Sequence, residues 1–194
     1  MASEGDHAPD FTVPSAGGER YDDVSEFTLS EAIGGGPIVL AFVPGAFTGG
    51  CTEEMCAFGS ELSSFKTLDA SVYGVSVDLP PAQNVFILDE ELNFPMLSDW
   101  DHELIHEFGV VLPDMYGEFE AAKRSIFVLD DSGTITYRWV EGDGETESNQ
   151  PVDLTDEDLR PARLLVQIFV SRALYPGSGA GSFELRRHQL GVRL

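Results

Sequence analysis

The residues best suited to chemistry lie in one stretch, VPGAFTGGCTEEMC at positions 43–56, which contains both cysteines of the 194-residue chain. Within it, Pro44, Thr48 and Cys51 follow a P-x-x-x-T-x-x-C spacing, and Cys56 comes five residues after Cys51. A thiolate is a strong nucleophile, and a hydroxyl three residues away can donate a hydrogen bond to it or to its substrate. The spacing predicts a reactive thiol site.

The flanking segments indicate how this site is positioned. An apolar run, PIVLAF at positions 37–42, has the character of a buried central strand, and Cys51–Leu68 has apolar residues at helical spacing. Cys51 is therefore expected in the first turn of a helix, where backbone N–H groups are unpaired and the dipole is positive. Gly49 and Gly50 would let the backbone approach a small ligand closely.

A reactive thiol in this stretch needs a nearby cation. A free cysteine is only about 3% thiolate at pH 7, and the acids Glu53 and Glu54 follow Cys51 directly. Residues 1–159 contain few basic side chains, and Arg124 immediately precedes an apolar strand, SIFVL. We therefore predict that Arg124 is the cation beside Cys51.

The remaining pattern predicts an α/β fold with a mixed central sheet flanked by helices. Strands are expected at Ala8–Val13, 71–77, 94–97, 125–129 and 134–140, and helices at 28–33, 82–92 and 102–108. Asp130–Gly133 has the composition of a hairpin turn between the last two strands. Strand, helix, strand, helix and then a hairpin imply both parallel and antiparallel pairs.

Composition excludes several classes of protein. The net charge of −23 excludes the basic surface of a nucleic-acid binder. No apolar run reaches the length of a membrane span, and no secretory leader is evident, so a cytoplasmic location is expected. Two closely spaced cysteines do not form the framework of a secreted disulfide scaffold. The dispersed acids and scarce lysines resemble proteins of salt-loving cells, where ionic strength screens self-repulsion.

The charge changes sign near position 160. Residues 1–159 carry 33 acids and 5 bases, whereas residues 160–194 carry 1 acid and 6 bases. We therefore expect one domain over 1–159 and a basic C-terminal extension over 160–194, whose structure and role the sequence does not decide.

The pattern at positions 44–51 resembles the active-site motif of the peroxiredoxins. Other segments match the family in order, from about residue 5 to about residue 140: APDF at 8–11, Glu54, FPMLSD at 94–99, and Arg124 before SIFVLD. Cys56, five residues after Cys51, is similar to the second cysteine of the Q-type or bacterioferritin-comigratory branch.

This resemblance implies a thioredoxin-like fold and an antioxidant peroxidase that reduces hydrogen peroxide and organic hydroperoxides without metal or other cofactor. Cys51 would be the peroxidatic cysteine and Cys56 the resolving one, with a thioredoxin-like or other dithiol as reductant. Pro44 would shield the pocket, Thr48 and Arg124 would activate thiol and peroxide, and Glu54 would orient the arginine. The sequence leaves open whether the chain is a monomer or a homodimer.

A disulfide between the two cysteines would require a change in conformation. Five residues of helix separate their Cα atoms by roughly 8–9 Å, beyond the limit of about 7 Å for a disulfide. We therefore predict that the helix unwinds from Cys51 to about Phe58 during turnover.

Several alternatives remain open at this point. In one alternative, Cys56 is a plain core residue of a one-cysteine peroxidase that uses an external thiol. A thioredoxin-fold binding or chaperone module without peroxide turnover is a second alternative, and the absence of Cys-x-x-Cys argues against a disulfide oxidoreductase. His102 and His106, four apart, suit a metal, but no third ligand is evident and a solvated helix face is expected. Trp139 and the phenylalanines are expected in the core.

Overall fold

The computed structural model describes residues 1–48, 51, 52, 54–56, 58, 59 and 69–142. Its strands are β1 (Thr12–Ala16), β2 (Val24–Thr28), β3 (Ile38–Phe42), β4 (Ser71–Ser76), β5 (Met96–Ser98), β6 (Val111–Met115), β7 (Phe119–Ala122), β8 (Ser125–Leu129) and β9 (Ile135–Val140). Its helices are α1 (Leu29–Ala32), α2 (Pro80–Asp89) and α3 (Glu103–Phe108). Residues 51, 52, 54–56, 58 and 59 are also helical and are called here the Cys51 helical segment.

Seven strands form one mixed sheet in the order β2-β1-β5-β4-β3-β8-β9. The central strands β3, β4 and β5 are parallel to one another, whereas β8 is antiparallel to β3 and β9 is antiparallel to β8. β6 and β7 form a separate hairpin. The predicted α/β architecture with a mixed sheet is therefore confirmed.

The sheet is covered on both faces, which explains the continuous apolar runs in its central strands. All five residues of β3 are buried, and so are all five of β8. Alternate residues of β3 belong to two different cores: Val39 and Ala41 face one, and Ile38, Leu40 and Phe42 face the other. Such runs are typical of strands buried on both sides.

The first core joins the sheet to the Cys51 helical segment and α2. It contains Cys51, Met55 and Phe58 from the segment and Phe86 from α2. Gly74 in β4 makes room for this contact, because a Cβ there would lie 3.3 Å from the Met55 sulfur. The absence of a side chain at position 74 therefore lets the segment pack closely on the sheet.

The secondary structure differs from the sequence-based expectation in a few places. α2 begins at Pro80 rather than at position 82, because proline is well suited to the first turn of a helix. β2 was not predicted, since only Phe27 of its five residues is buried, as on an edge strand. The hairpin β6–β7 was also not predicted, and β1 starts at Thr12, so Ala8 and Phe11 precede it.

The expectation that the phenylalanines all lie in the core was wrong for two of them. Trp139 is buried, but Phe47 and Phe119 are more than half exposed. Phe119 lies on the hairpin outside the main sheet, and Phe47 lies in the loop after β3. Their positions on a hairpin and a loop leave both side chains partly exposed.

Two predictions concern residues outside the described part of the chain. The predicted boundary between a domain over 1–159 and a basic extension over 160–194 falls outside the described residues. Residues 60–68 of the predicted helix also fall outside them. Within the described part, no helix is long and apolar enough to cross a membrane.

Candidate active site

The strand register brings the loop after β3 beside the start of β8. Phe42, the last residue of β3, pairs with Ser125, the first residue of β8. Arg124 therefore precedes β8 at the same edge of the sheet at which the chain leaves β3 for Pro44 and Thr48. Residues 73 positions apart, Cys51 and Arg124, meet because of this antiparallel pairing.

Cys51 begins the helical segment and has no solvent exposure. The carbonyl oxygen of Thr48 accepts hydrogen bonds from the N–H groups of Cys51 (2.9 Å) and Thr52 (3.0 Å), the first two described residues of the helical segment. Thr48 thus has the position of an N-cap residue. This placement confines its side chain to the same end of the helix as the Cys51 sulfur.

The Thr48 hydroxyl lies between two acceptors. Its Oγ1 is 2.6 Å from the Cys51 Sγ and 3.0 Å from the carbonyl oxygen of Gly45. A hydroxyl carries one proton, so it donates to one of these acceptors at a time. When the sulfur is protonated, its S–H can point to Oγ1 while the hydroxyl bonds Gly45; when the sulfur is a thiolate, the hydroxyl can turn to it.

Arg124 directs each of its three nitrogens at a different acidic group. Nη2 lies 3.7 Å from the Cys51 Sγ, Nε lies 3.6 Å from a Glu54 carboxyl oxygen, and Nη1 lies 3.8 Å from a Glu141 carboxyl oxygen. Burial lowers the pKa of Arg124, but the hydrogen bond and charge of Cys51, together with Glu141 and Glu54, raise it overall. The guanidinium therefore stays charged beside the sulfur.

Glu54 is a buried carboxyl group at the centre of this cluster. Its side chain has 0% exposure, and among the described residues its oxygens have no hydrogen-bond partner. Burial raises the pKa of Glu54 to about 8, although Arg124 lowers it, and Glu141 adds to the rise. At neutral pH Glu54 is therefore largely protonated. Because a neutral carboxyl group does not offset the positive charge of Arg124, much of that charge acts on the Cys51 sulfur.

The loop between β3 and the helical segment is fixed from a neighbouring strand. The Ala46 N–H donates to the Asp78 carboxylate at 2.7 Å, and Asp78 follows the parallel neighbour β4. Phe47 adopts a left-handed conformation (φ 58°), and its ring packs edge-on against Phe86 at 5.1 Å. Pro44 is half-buried at the start of this loop.

Cys56 lies in different surroundings. It is exposed, and its Sγ lies 3.7 Å from a carboxylate oxygen of Glu90, just after α2. Both cysteines are free thiols. Burial raises the pKa of Cys56, and the charge of Glu90 and its hydrogen bond to the thiol raise it further.

Thr48, Cys51, Glu54 and Arg124 thus form one cluster, with Pro44 in the adjoining loop and Cys56 outside. Asp78, Glu90 and Glu141 were missed by the sequence analysis. Two of them had a signal: Asp78 follows the strand parallel to β3, and Glu141 follows Val140, which pairs with Ser125. Both pairings place these acids at the sheet edge next to Cys51. No sequence signal places Glu90 beside Cys56.

The two histidines lie away from this cluster. His106 Nε2 is 2.8 Å from a Glu120 carboxylate oxygen, and His102 Nδ1 is 4.0 Å from the same oxygen. These side chains are partly exposed. Across the described residues, no group of three or more His, Cys, Asp or Glu side chains has an arrangement that could hold a metal ion.

A family model, a related sequence and a solved structure all indicate the same protein family. The model of the AhpC/TSA family matches residues 4–138. Peroxiredoxin Bcp of Escherichia coli is 31% identical over 140 residues, covering 69% of this chain and 82% of that protein. The crystal structure of peroxidoxin BcpB from Mycobacterium tuberculosis has a TM-score of 0.64 at 30% identity, over 72% of this chain and 86% of that one.

A further similar structure comes from a protein with a stated enzymatic activity. The bacterioferritin comigratory protein of Xanthomonas campestris, studied for its alkyl peroxide reduction activity, has a TM-score of 0.59 at 29% identity. The structural match covers 67% of this chain and 80% of that protein's chain. The matched family region contains Thr48, Cys51, Glu54 and Arg124. The chain therefore belongs to the AhpC/TSA family, in its peroxiredoxin Q or bacterioferritin-comigratory branch, and is a thioredoxin-fold thiol peroxidase that uses a hydroperoxide substrate and a thiol reductant.

Proposed function

We propose that Cys51 is the peroxidatic nucleophile of this enzyme and that Thr48 and Arg124 activate both its sulfur and the bound peroxide. The observation that carries the proposal is the convergence of two donors on one buried sulfur, at 2.6 Å from Thr48 and 3.7 Å from Arg124. Donors fixed in a dry site stabilise developing negative charge more strongly than water does.

The reaction consumes one hydroperoxide and leaves the sulfur oxidised. The Cys51 thiolate attacks the terminal oxygen of R–O–O–H, an S–O bond forms, the O–O bond breaks, and the sulfur becomes a sulfenic acid. The leaving RO⁻ takes up a proton and departs as an alcohol, or as water when the substrate is hydrogen peroxide. In this proposal, Arg124 and Thr48 stabilise the charge on both oxygens as this bond breaks.

Glu54 and Pro44 have supporting roles in the proposal. Glu54 orients Arg124 through the contact of its carboxyl group with Nε at 3.6 Å, which leaves Nη2 free to face the sulfur. Pro44 has a fixed φ angle and no N–H group, so it stiffens the loop and limits access of water to Cys51. Neither residue exchanges a proton with the substrate.

Cys56 is proposed as the resolving cysteine. Its thiolate attacks the Cys51 sulfenic sulfur, an S–S bond forms, and hydroxide leaves and is protonated to water. Cys51 is buried and Cys56 exposed on one helical segment, so the segment must unwind for the sulfurs to meet. A thioredoxin-like dithiol then reduces the disulfide and restores both thiols.

The proposed substrates are hydrogen peroxide and organic hydroperoxides, and the proposed location is the cytoplasm. The enzyme is proposed to be a monomer or a homodimer. No nucleic acid or membrane partner is proposed, in keeping with the net charge of −23.

The test is one-equivalent peroxide consumption by the reduced protein, with thiols counted before and after. Wild type is compared with Cys51→Ser and Cys56→Ser in low and high salt, because the net charge of −23 makes folding sensitive to ionic strength. Loss of both thiols together in wild type, and no consumption by folded Cys51→Ser, are the expected results. Consumption by Cys51→Ser at the wild-type rate would contradict the proposal.

A one-cysteine mechanism with an external thiol is the second candidate. The observation that favours it is the Glu90 carboxylate at 3.7 Å from the Cys56 sulfur, which, after burial, raises the pKa of Cys56 and so disfavours the nucleophilic thiolate. Under that mechanism, Cys56→Ser retains full turnover with a small thiol as reductant, and the wild type loses one thiol rather than two.

A further inference from the structure

The contact between Cys56 and Glu90 has no part in the two-cysteine mechanism proposed above. Glu90 is fixed at the end of α2, since its N–H donates to the Phe86 carbonyl oxygen at 3.0 Å. From this anchored position its carboxylate lies 3.7 Å from the Cys56 Sγ. Among the described residues, Glu90 is the charged side chain in contact with this thiol.

Glu90 also occupies an unfavourable position for the helix that holds it. The C-terminal end of a helix is the negative end of its dipole, and basic residues are favoured there. In α2, however, the last turn contains no basic residue, and Asp89, Glu90 and Glu91 follow one another. The carboxylate at position 90 is therefore not explained by helix stability, whereas its contact with Cys56 gives it a definite electrostatic effect.

We propose that Glu90 keeps Cys56 as an unreactive thiol in the reduced enzyme, so that oxidants and alkylating reagents react at the buried Cys51 before the exposed Cys56. The contact joins two separate elements, the Cys51 helical segment and the end of α2. Unwinding of the segment during disulfide formation separates the two groups and releases Cys56 to act. This last step rests on the proposed resolving role of Cys56, whereas the masking itself does not.

The Glu90 carboxylate favours the thiol form of Cys56 over the thiolate. A carboxylate that accepts the S–H hydrogen bond stabilises the thiol, and its negative charge disfavours the thiolate. Burial and Glu90 together raise the pKa of Cys56. Because the thiolate is the reactive species, an exposed cysteine beside Glu90 reacts slowly in spite of its accessibility.

The test uses a Cys51→Ser background, in which Cys56 is the single thiol. The rate of iodoacetamide alkylation is measured against pH for this protein and for versions carrying Glu90→Gln or Glu91→Gln. Glu91→Gln is the matched control, because it removes the same charge from the neighbouring exposed position. Circular dichroism verifies that each variant is folded.

The expected result is that Glu90→Gln accelerates alkylation about 3- to 10-fold at pH 7.5 and shifts the pH midpoint downward, since tenfold corresponds to one pKa unit. Glu91→Gln leaves the alkylation rate and the pH midpoint close to those of the Cys51→Ser background protein. High salt reduces the acceleration caused by Glu90→Gln. An unchanged rate in Glu90→Gln, or an equal acceleration in Glu91→Gln, overturns the inference.

The assay contains no peroxide, so its outcome is independent of the proposed peroxidase roles. If alkylation is unaffected while both thiols are still lost together on peroxide treatment, the masking is wrong and the two-cysteine mechanism stands. If Glu90→Gln accelerates alkylation while wild type loses one thiol to peroxide, the masking stands and the resolving role of Cys56 fails.

Discussion

Cys51 and Cys56 lie five residues apart on one helical segment, and the surroundings of their sulfur atoms differ in both burial and charge. Cys51 is buried, with the Thr48 hydroxyl at 2.6 Å and the Arg124 guanidinium at 3.7 Å. Cys56 is exposed, with the Glu90 carboxylate at 3.7 Å. The accessible thiol is thus beside a group that disfavours a thiolate, and the buried thiol is beside two groups that stabilise one.

The helix itself produces this difference. Five residues advance the chain by about 7.5 Å and turn it by about 140°, so the two side chains leave the helix in different directions. One faces the edge of the sheet, where β3 and β8 bring Thr48 and Arg124 together. The other faces away from it, toward the acidic end of α2. Under the proposed roles, reactivity depends on the groups that tertiary structure supplies, and not on solvent access.

The largest expected effect on the difference between the two cysteines comes from removing the Arg124 cation beside Cys51. Arg124→Gln is expected to lower the second-order rate constant for peroxide oxidation of Cys51 by about 10²- to 10³-fold, the usual loss for one preorganised donor. Stopped-flow fluorescence or competition with a known peroxidase measures this rate. Arg124→Lys keeps the charge but loses the planar fork, so an intermediate rate is expected. A wild-type rate in Arg124→Gln would contradict the assignment.

Removal of the hydroxyl is expected to have the next largest effect. Thr48→Val keeps the shape but loses the donor at 2.6 Å from the sulfur. Because a hydrogen bond to a charged group contributes about 1.5–3 kcal/mol, the same rate constant is expected to fall roughly 10- to 100-fold. Thr48→Ser retains the hydroxyl and is the control. If Thr48→Ser and Thr48→Val lose activity equally, packing rather than donation is responsible.

Ionisation of Glu54 should make the Cys51 site resemble the Cys56 site. As pH rises through about 8, the pKa to which burial raises this carboxyl, a negative charge appears beside Arg124. The ratio of the wild-type rate to the Glu54→Gln rate is therefore expected to fall several-fold between pH 7 and pH 9. A ratio independent of pH would show that Glu54 does not titrate near the sulfur.

The same group has a consequence for stability. Its pKa in the folded state, about 8, lies above its ordinary value of 4.5, so the folded protein binds more protons over this interval. The free energy of unfolding should therefore decrease as pH rises from about 4.5 to about 8, by up to a few kcal/mol. Denaturant titrations of wild type and Glu54→Gln at several pH values measure this difference. A constant difference between the two proteins would contradict the prediction.

The smallest expected effect comes from the loop anchor. Asp78→Ala removes the acceptor of the Ala46 N–H at 2.7 Å, which loosens the loop that contains Thr48. We expect a loss of about 3- to 10-fold in peroxide oxidation of Cys51, corresponding to one ordinary hydrogen bond. Asp78→Asn retains a carbonyl oxygen and should keep most of the activity. Equal losses in both variants would indicate a role for the Asp78 charge instead.

Much of the candidate active site was predictable because its parts are local or lie at the ends of buried strands. The apolar run at 37–42 marks β3 clearly: the strand begins one residue into the run, at Ile38, and ends with it at Phe42, and the bounds of β8 match the prediction. Thr48 and Cys51 are three residues apart across a helix start, so their contact requires no long-range information. Arg124 was predicted from its place before a buried strand, and the structure puts it beside the sulfur.

Other features could not be predicted, because they depend on which elements become neighbours. β2 and the hairpin β6–β7 are short and partly exposed, so their hydrophobic pattern is weak. Phe47 has an aromatic side chain typical of a core, but its loop position and left-handed backbone leave it half exposed. Glu90 is one of many acids in the sequence, and only the packing of α2 against the Cys51 helical segment distinguishes it.

The amino-acid sequence by itself determined the reactive motif, the α/β class and the family, because residue types at fixed short spacing and hydrophobic periodicity are properties of the chain. The tertiary structure alone decided that Glu54 is buried and that Glu90 faces Cys56, and it set the distance of 3.7 Å between Arg124 and the Cys51 sulfur. The physical reason is that electrostatic interactions act through space and depend on burial, and both depend on how strands and helices pack together.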